Sequence, residues 1–115
     1  MQNFLNLSGM NTSTNNFDPI EKIIYEEKLR IETIDFHPEL DVMLILLNTK
    51  AILRQTISAY PSLAKADKAT LMKYELIGKG TGVSWPDLNE DLSLKGFLRD
   101  ELRSVVRNNK DAFAA

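Results

Sequence analysis

Cysteine is absent and histidine occurs once, at position 37. The first absence excludes disulfides and Cys-ligated zinc, and the second leaves few ways to assemble a transition-metal site, so no cofactor or metal is expected. A thiol-free chain suits a reducing compartment, and a cytoplasmic location is the expectation. Long apolar runs are missing too: the longest, Val42 to Leu47, falls far short of the roughly 20 residues of a membrane-spanning helix. Met1 to Phe17 has neither the basic start nor the apolar centre of a signal peptide. A soluble protein without membrane contact is therefore expected. Nor is there a surplus of positive charge. Fourteen Lys and Arg against 16 Asp and Glu give a formal net charge of -2, so no global field draws the chain to nucleic acid or to an anionic bilayer.

What is present, 115 residues of which 43% are hydrophobic and 26% charged, is the composition of one globular domain with one core. Residues 1–17 are rich in Asn, Ser, Thr and Gly and read as a flexible leader; 18–107 read as a single α+β domain, and 108–115 as a tail that frays. Asp18-Pro19-Ile20-Glu21 spells a helix start, with a capping carboxylate, a proline at the first helical position and a glutamate able to reach back; a short helix to about Tyr25 follows. Leu29 to Phe36 alternates as a half-buried strand, His37-Pro38-Glu39 interrupts it, and Leu40 to Leu47 resumes as a second strand. Asn48-Thr49-Lys50 turns the chain into Ala51 to Arg54, which closes an antiparallel meander.

Between Thr56 and Lys73 the apolar residues recur at helical intervals in two segments split by Pro61, the second capped by Asp67. Glu75 to Ile77, a glycine-bearing turn and Gly82 to Trp85 make a second hairpin. Leu94, Phe97, Leu98, Leu102 and Val105 then follow helical spacing after Ser93, whose hydroxyl caps the helix. The predicted fold is α+β: a small antiparallel sheet of two hairpins and about five strands, with short helices and a C-terminal helix. No internal repeat is evident.

The densest signature is Gly80-Thr81-Gly82-Val83-Ser84-Trp85-Pro86-Asp87-Leu88-Asn89-Glu90-Asp91-Leu92-Ser93. Together with Tyr74 to Lys79 before it and Leu94 to Leu98 after it, this run is similar to the closing pattern of the bacterial domain-of-unknown-function 2442 family: a glycine-rich turn, a Trp-Pro pair, an acidic loop and a short helix. Tyr60-Pro61-Ser62-Leu63 resembles the family's aromatic-Pro-x-Leu element. The resemblance covers about residues 28–98. Asn48-Thr49-Lys50 departs from it, standing where the family usually has Asp or Asn followed by Gly, so the turn type is not carried over. The resemblance implies a small α+β domain with no established activity. It also implies gene neighbourhood with another small family of unknown function, number 4160, in an arrangement reminiscent of toxin and antitoxin pairs. Some relatives fuse the domain to a helix-turn-helix module; the residues after Leu98 are too few for one, and its DNA binding is not expected here.

Six candidate sites compete. Trp85, Pro86, Asp87, Glu90, Asp91 and Phe97 form a candidate partner-binding patch, because a Trp-Pro pair at a strand end is a large rigid anchor; the alternative for Trp85 is a core ring whose N–H finds a backbone acceptor, and that alternative is favoured. Asp87, Glu90 and Asp91 supply hard oxygen ligands but lack the spacing of a calcium loop, and acids preceding a helix are more simply read as solvated and dipole-favoured. Gly78, Gly80 and Gly82 lack the Lys-Ser/Thr of a phosphate loop and read as turn glycines. His37 has no Ser or Cys partner in a recognisable arrangement and reads as a loop histidine. Lys95, Arg99, Arg103 and Arg107, continued by Lys110, form a basic stripe able to follow phosphates, though Asp100 and Glu101 adjoin it. The opposite stripe, Leu94 to Val105, is first a core face and becomes a docking surface where the sheet fails to cover it.

The leading expectation is a non-enzymatic protein-interaction module with an antitoxin-like role, binding a protein partner or a second copy through a sheet edge, the Trp85 to Asp91 loop or the last helix. The alternative is a nucleic-acid-binding transcriptional regulator using the basic stripe. A small metal-dependent enzyme built on the three acids comes last.

Overall fold

Asp18 opens the first described element. The computed structural model describes residues 18–114, with side chains as far as Arg107; the leader expected at 1–17 lies outside the described residues. The Asp18 carboxylate accepts from the Glu21 N–H at 2.8 Å and the Glu21 carboxylate accepts from the Asp18 N–H at 3.2 Å, so the capping box closes as its spelling predicts. Helix α1 (Pro19–Glu27) ends at Lys28, which turns left-handed at φ 54°.

Strands β1 (Ile31–His37), β2 (Val42–Leu47) and β3 (Ile52–Thr56) form one antiparallel sheet in that order. Alternation sends Ile34, Phe36, Met43, Ile45, Leu47 and Leu53 into the core. Two short helices follow, α2 (Pro61–Ala64) and α3 (Lys68–Leu71), the latter capped by Asp67, which accepts from the Thr70 N–H at 2.8 Å. Strands β4 (Glu75–Ile77), β5 (Gly82–Trp85) and β6 (Glu90–Ser93) build a second antiparallel sheet, and helix α4 (Leu94–Ala114) leaves directly from β6. The Gly96 N–H donates to Ser93 Oγ at 3.0 Å, the expected cap. The backbone of α4 continues through the segment read as a frayed tail.

The α+β class and its two hairpins are as the sequence indicates, but the strands divide into two sheets of three. The strand not predicted is β6. Its sequence, Glu-Asp-Leu-Ser, is poor in strand-forming residues, and its ladder with β5, from Gly82 opposite Ser93 to Trp85 opposite Glu90, holds it extended. The turn that delivers it is a near copy of another. His37-Pro38-Glu39-Leu40-Asp41 and Trp85-Pro86-Asp87-Leu88-Asn89 each make a single 3-10 turn closed by the last residue's N–H on the proline carbonyl, at 3.0 and 3.2 Å. Asp41 and Asn89 both sit left-handed, at φ 56° and 52°, a conformation that Asp and Asn tolerate better than most residues. The short spelling Pro-acid-Leu-Asx is thus a repeated hairpin device.

Trp85 and Phe36 hold the sheets together. Their rings meet edge to face at 6.3 Å, and Phe36 meets Tyr74 likewise at 5.7 Å. The Trp85 ring is fully buried and its N–H donates to the Leu71 carbonyl at 2.9 Å, so the core reading of this residue holds. The turn between β4 and β5 approaches the start of β1 at Gly80. Its φ is +95°, and a β-carbon there would lie 3.0 Å from the Ile31 carbonyl oxygen and 3.1 Å from Arg30 Cβ. Among the described residues no helix is long and apolar enough to cross a membrane.

Gly80→Ala combines a strained backbone angle with a collision against main chain. It is expected to cost about 1–3 kcal/mol, a fall in Tm of roughly 5–15 °C by thermal unfolding; an unchanged Tm would show that the two sheets do not need this close approach.

Candidate functional site

The patch expected around Trp85 is largely enclosed. Trp85 and Phe97 are 0% and 1% exposed, each packed edge to face on a neighbour, Phe36 and Tyr60 respectively. Neither ring is offered to a partner, which corrects the anchor reading: a core this small needs both large side chains inside. Pro86 and Asp87 remain exposed on the turn, where Asp87 lies 3.7 Å from Lys73 Nζ. Glu90 and Asp91 are consecutive residues of β6 and so point to opposite faces. The three acids are therefore not gathered, and among the described residues no group of three or more potential metal ligands occurs.

His37 lies between two carboxylates, its Nε2 2.8 Å from Asp35 Oδ2 and its Nδ1 3.6 Å from Glu39 Oε2. No hydroxyl nucleophile contacts it among the described residues.

The basic stripe is divided. Lys95 reaches back to α1, 2.7 Å from Asp18 Oδ2 and 3.4 Å from Glu21 Oε1, so it binds both acids of the capping box and ties the starts of the two helices. The Glu21 backbone N–H and then Lys95 hold the Asp18 carboxyl below the ordinary aspartate range, and Asp18 in turn raises the Lys95 ammonium above its own. Lys95 is thereby committed within the fold. Arg99, Arg103 and Arg107 stay exposed; Arg103 has only a long, solvated approach to Asp100 at 3.9 Å, an interaction of small value. Arg99 and Arg107 have no ion pair among the described residues.

The apolar stripe on α4 divides in the same place. Leu94 and Phe97 are buried and Leu98 is packed on the core, whereas Leu102, Val105 and Val106 are 55%, 48% and 51% exposed. The first turns of α4 lie on β3, β6 and α1, and the last contact with the first sheet is the Arg54 N–H on Glu101 Oε1 at 3.4 Å. Beyond Glu101 the large apolar side chains of the helix, Leu102, Val105 and Val106, stay about half exposed.

Two clefts flank this outer segment. An apolar one of about 400 Å³ lies among Arg99, Leu102, Arg103, Val106 and Arg107. A polar one of about 310 Å³ is shared by Arg54, Thr56, Ser104, Arg103 and Arg107, with Asp100 at its side. Arg54 was not singled out from the sequence. Its signal was its place on the outward-facing register of β3, next to inward Leu53 and Gln55, but which helix lies beside that strand is long-range information.

A third cleft, of about 410 Å³, lies between Tyr60, Ile77, Leu92, Phe97, Asp91 and Asp100. The Tyr60 hydroxyl donates to Gln55 Oε1 at 2.7 Å, with Asp100 Oδ2 a second, longer acceptor of the same proton at 3.3 Å, and the Gln55 amide donates to the Phe97 carbonyl at 3.4 Å. Burial first, and the Asp100 charge second, push the Tyr60 phenol up to about 12. At neutral pH it is a fixed donor, not a base, and it locks α4 onto β3.

The fold thus defines a small α+β domain of two packed three-stranded antiparallel sheets with one exposed helical face. The chain belongs to the family described as Protein of unknown function (DUF2442), which matches residues 31–102. Two solved structures share the fold. One is a protein of unknown function from Rhodospirillum rubrum, 22% identical, with a TM-score of 0.56 over 63% of this chain and 87% of that one. The other is an uncharacterised protein from Chromobacterium violaceum, 23% identical, with a TM-score of 0.59 over 80% of this chain and 87% of that one. No curated protein matches the chain.

A raised Tyr60 pKa contributes stability that is whole below the ordinary tyrosine value of about 10 and is lost as pH rises from there toward about 12. In an absorbance titration of phenolate, the difference between wild type and Tyr60→Phe is expected to rise near pH 12; a difference centred near 10 would show that the ring is not held as described.

Proposed function

We propose that the domain is a non-enzymatic protein-interaction module, cytoplasmic and with an antitoxin-like role, whose docking surface is the outer segment of α4. The observation that carries this reading is the uncovered run of Leu102, Val105 and Val106. Single exposed aliphatic residues are ordinary, but Leu102 and Val105 continue the stripe that is buried further up and Val106 lies beside them, and such a cluster on one helix is the form of a face awaiting a partner. Among the described residues no catalytic arrangement is assembled. His37 lacks a nucleophile, Tyr60 is fixed as a donor, and the acids of the signature loop point apart.

Sheet-edge pairing is the less favoured route to a partner. The outer strands of the first sheet both carry side-chain plugs on their backbone: the Ile34 N–H donates to Tyr74 Oη at 3.1 Å and the Arg54 N–H to Glu101. Such plugs blunt strand addition.

Co-expression with the product of each adjacent reading frame is expected to yield a complex of defined stoichiometry with one of them, and Leu102→Glu with Val106→Glu is expected to abolish it. Because both positions are exposed, the double variant should keep its Tm within a few degrees. Wild-type protein that stays free with both neighbours, or a complex indifferent to the double variant, would refute the assignment.

A further inference from the structure

We infer that the outer face of α4, together with Arg54 of β3, receives an acidic amphipathic helix of a partner protein. This rests on the interaction-module reading and specifies the partner's chemistry. Arg99, Arg103 and Arg107 recur every four residues, so they form one row about 6 Å apart along the helix. Leu102 and Val106 form the row beside it, and the two rows border one shallow, open groove on the surface of α4. Arg54 approaches from the sheet, and with Arg103 and Arg107 lines the polar cleft on the far side of the arginine row. Arg103 and Arg107 therefore stand on a ridge, with aliphatic surface on one flank and a third guanidinium on the other.

A ligand that satisfies both flanks carries carboxylates at i and i+4 and leucine-like side chains one position away, which is the pattern of a helix with an acidic edge. Guanidinium groups match carboxylates in paired hydrogen bonds, and the thinly hydrated arginine face tolerates the aliphatic neighbour that a lysine would not.

Nucleic acid fits the same arginines less well. Phosphates gain nothing from Leu102, Val105 and Val106. Lys95, which begins the stripe, is occupied by Asp18 and Glu21, so a phosphate chain cannot follow its whole length. Each lost phosphate contact weakens polyanion binding in a salt-dependent way, whereas a carboxylate helix needs only the arginines that remain exposed.

The test uses the whole chain and three fluorescent helical peptides: one with leucines on one face and glutamates at i, i+4 beside them, the same peptide with lysine for glutamate, and a scramble of the acidic one. A single-stranded DNA of similar charge is the fourth probe. Anisotropy is expected to show the acidic amphipathic peptide binding at least tenfold tighter than the lysine or scrambled forms. Arg54→Gln, Arg103→Gln and Arg107→Gln together should remove most of that preference, with thermal unfolding unchanged. Equal binding of acidic and basic peptides, or none of either, overturns the inference. Tighter arginine-dependent binding of the DNA overturns it in favour of nucleic acid. Self-association abolished by the same three substitutions overturns it in favour of a second copy, whose α1 exposes Ile23, Glu26 and Glu27. The complex with the adjacent-frame product separates the two levels of the reading: if the arginine variant keeps that complex while Leu102→Glu with Val106→Glu loses it, the module stands and the acidic-partner chemistry falls.

Discussion

Phe36 comes from the first sheet and Trp85 from the second, and the geometry of the whole domain follows from their contact at 6.3 Å. A three-stranded sheet is too small to cover its own apolar face, so each needs the other as a lid. Trp85 is large enough to fill the space between them, provided its ring N–H is satisfied there; the Leu71 carbonyl supplies the acceptor. Without that acceptor the buried donor would cost about 1–3 kcal/mol. The short helix α3, otherwise a minor connector, is therefore fixed in place by the tryptophan that it partners. Tyr74 completes the arrangement by packing on Phe36 while accepting from the backbone of β1.

That arrangement also determines where the core ends. With Trp85, Phe36, Met43 and Ile45 filling the centre, α4 has apolar partners only for its first turns. Leu94 and Phe97 complete the core, the Gln55 and Tyr60 hydrogen bonds fasten the helix to β3, and Lys95 fastens it to α1. Past Glu101 the apolar periodicity of the sequence continues but the sheet does not. The exposure of Leu102, Val105 and Val106 is a consequence of core size, and it places the apolar surface in the same stretch as the arginines that Lys95 no longer accompanies.

Local chemistry was legible in the sequence and long-range pairing was not. The capping box at Asp18, the caps at Asp67 and Ser93 and the first meander are all short-range signals, and each forms where its residues predict. Strand β6 was missed because Glu90 to Ser93 has little intrinsic preference for extension and depends on β5 for it; the recurrence of Pro-acid-Leu-Asx after β1 was the one clue that a second hairpin turn lay there. For the site, the sequence identified the basic and apolar rows of α4 but assigned Trp85 and Phe97 both a core and a surface role. Periodicity shows that a residue lies on an apolar face, not how much of that face a partner element covers. Arg54 and the pairing of Lys95 with α1 were invisible for a related reason, since each depends on which elements lie side by side.

The division of the stripe at Lys95 bears on charge as well as on packing. Five basic residues spaced along a helix look alike in sequence, and a polyanion reading counts them all equally. In the fold they differ in cost of use. Freeing Lys95 for a phosphate means breaking contacts with two carboxylates, one of them the cap of α1, so the ligand must offset both the ion pairs and the loosened helix start. Arg103 and Arg107 carry no such cost, Arg99 adds only a weaker, distant attraction to Asp18, and Arg54 adds a charge that the helix alone did not have. The usable positive charge is thus displaced toward the aliphatic end of α4 and onto β3. Positive charge and exposed apolar surface are thereby brought together on one face. Arginine is among the residues in which interface binding energy concentrates, the aliphatic side chains beside it add apolar area that is removed from water on contact, and a chain of phosphates has no means of using that second contribution.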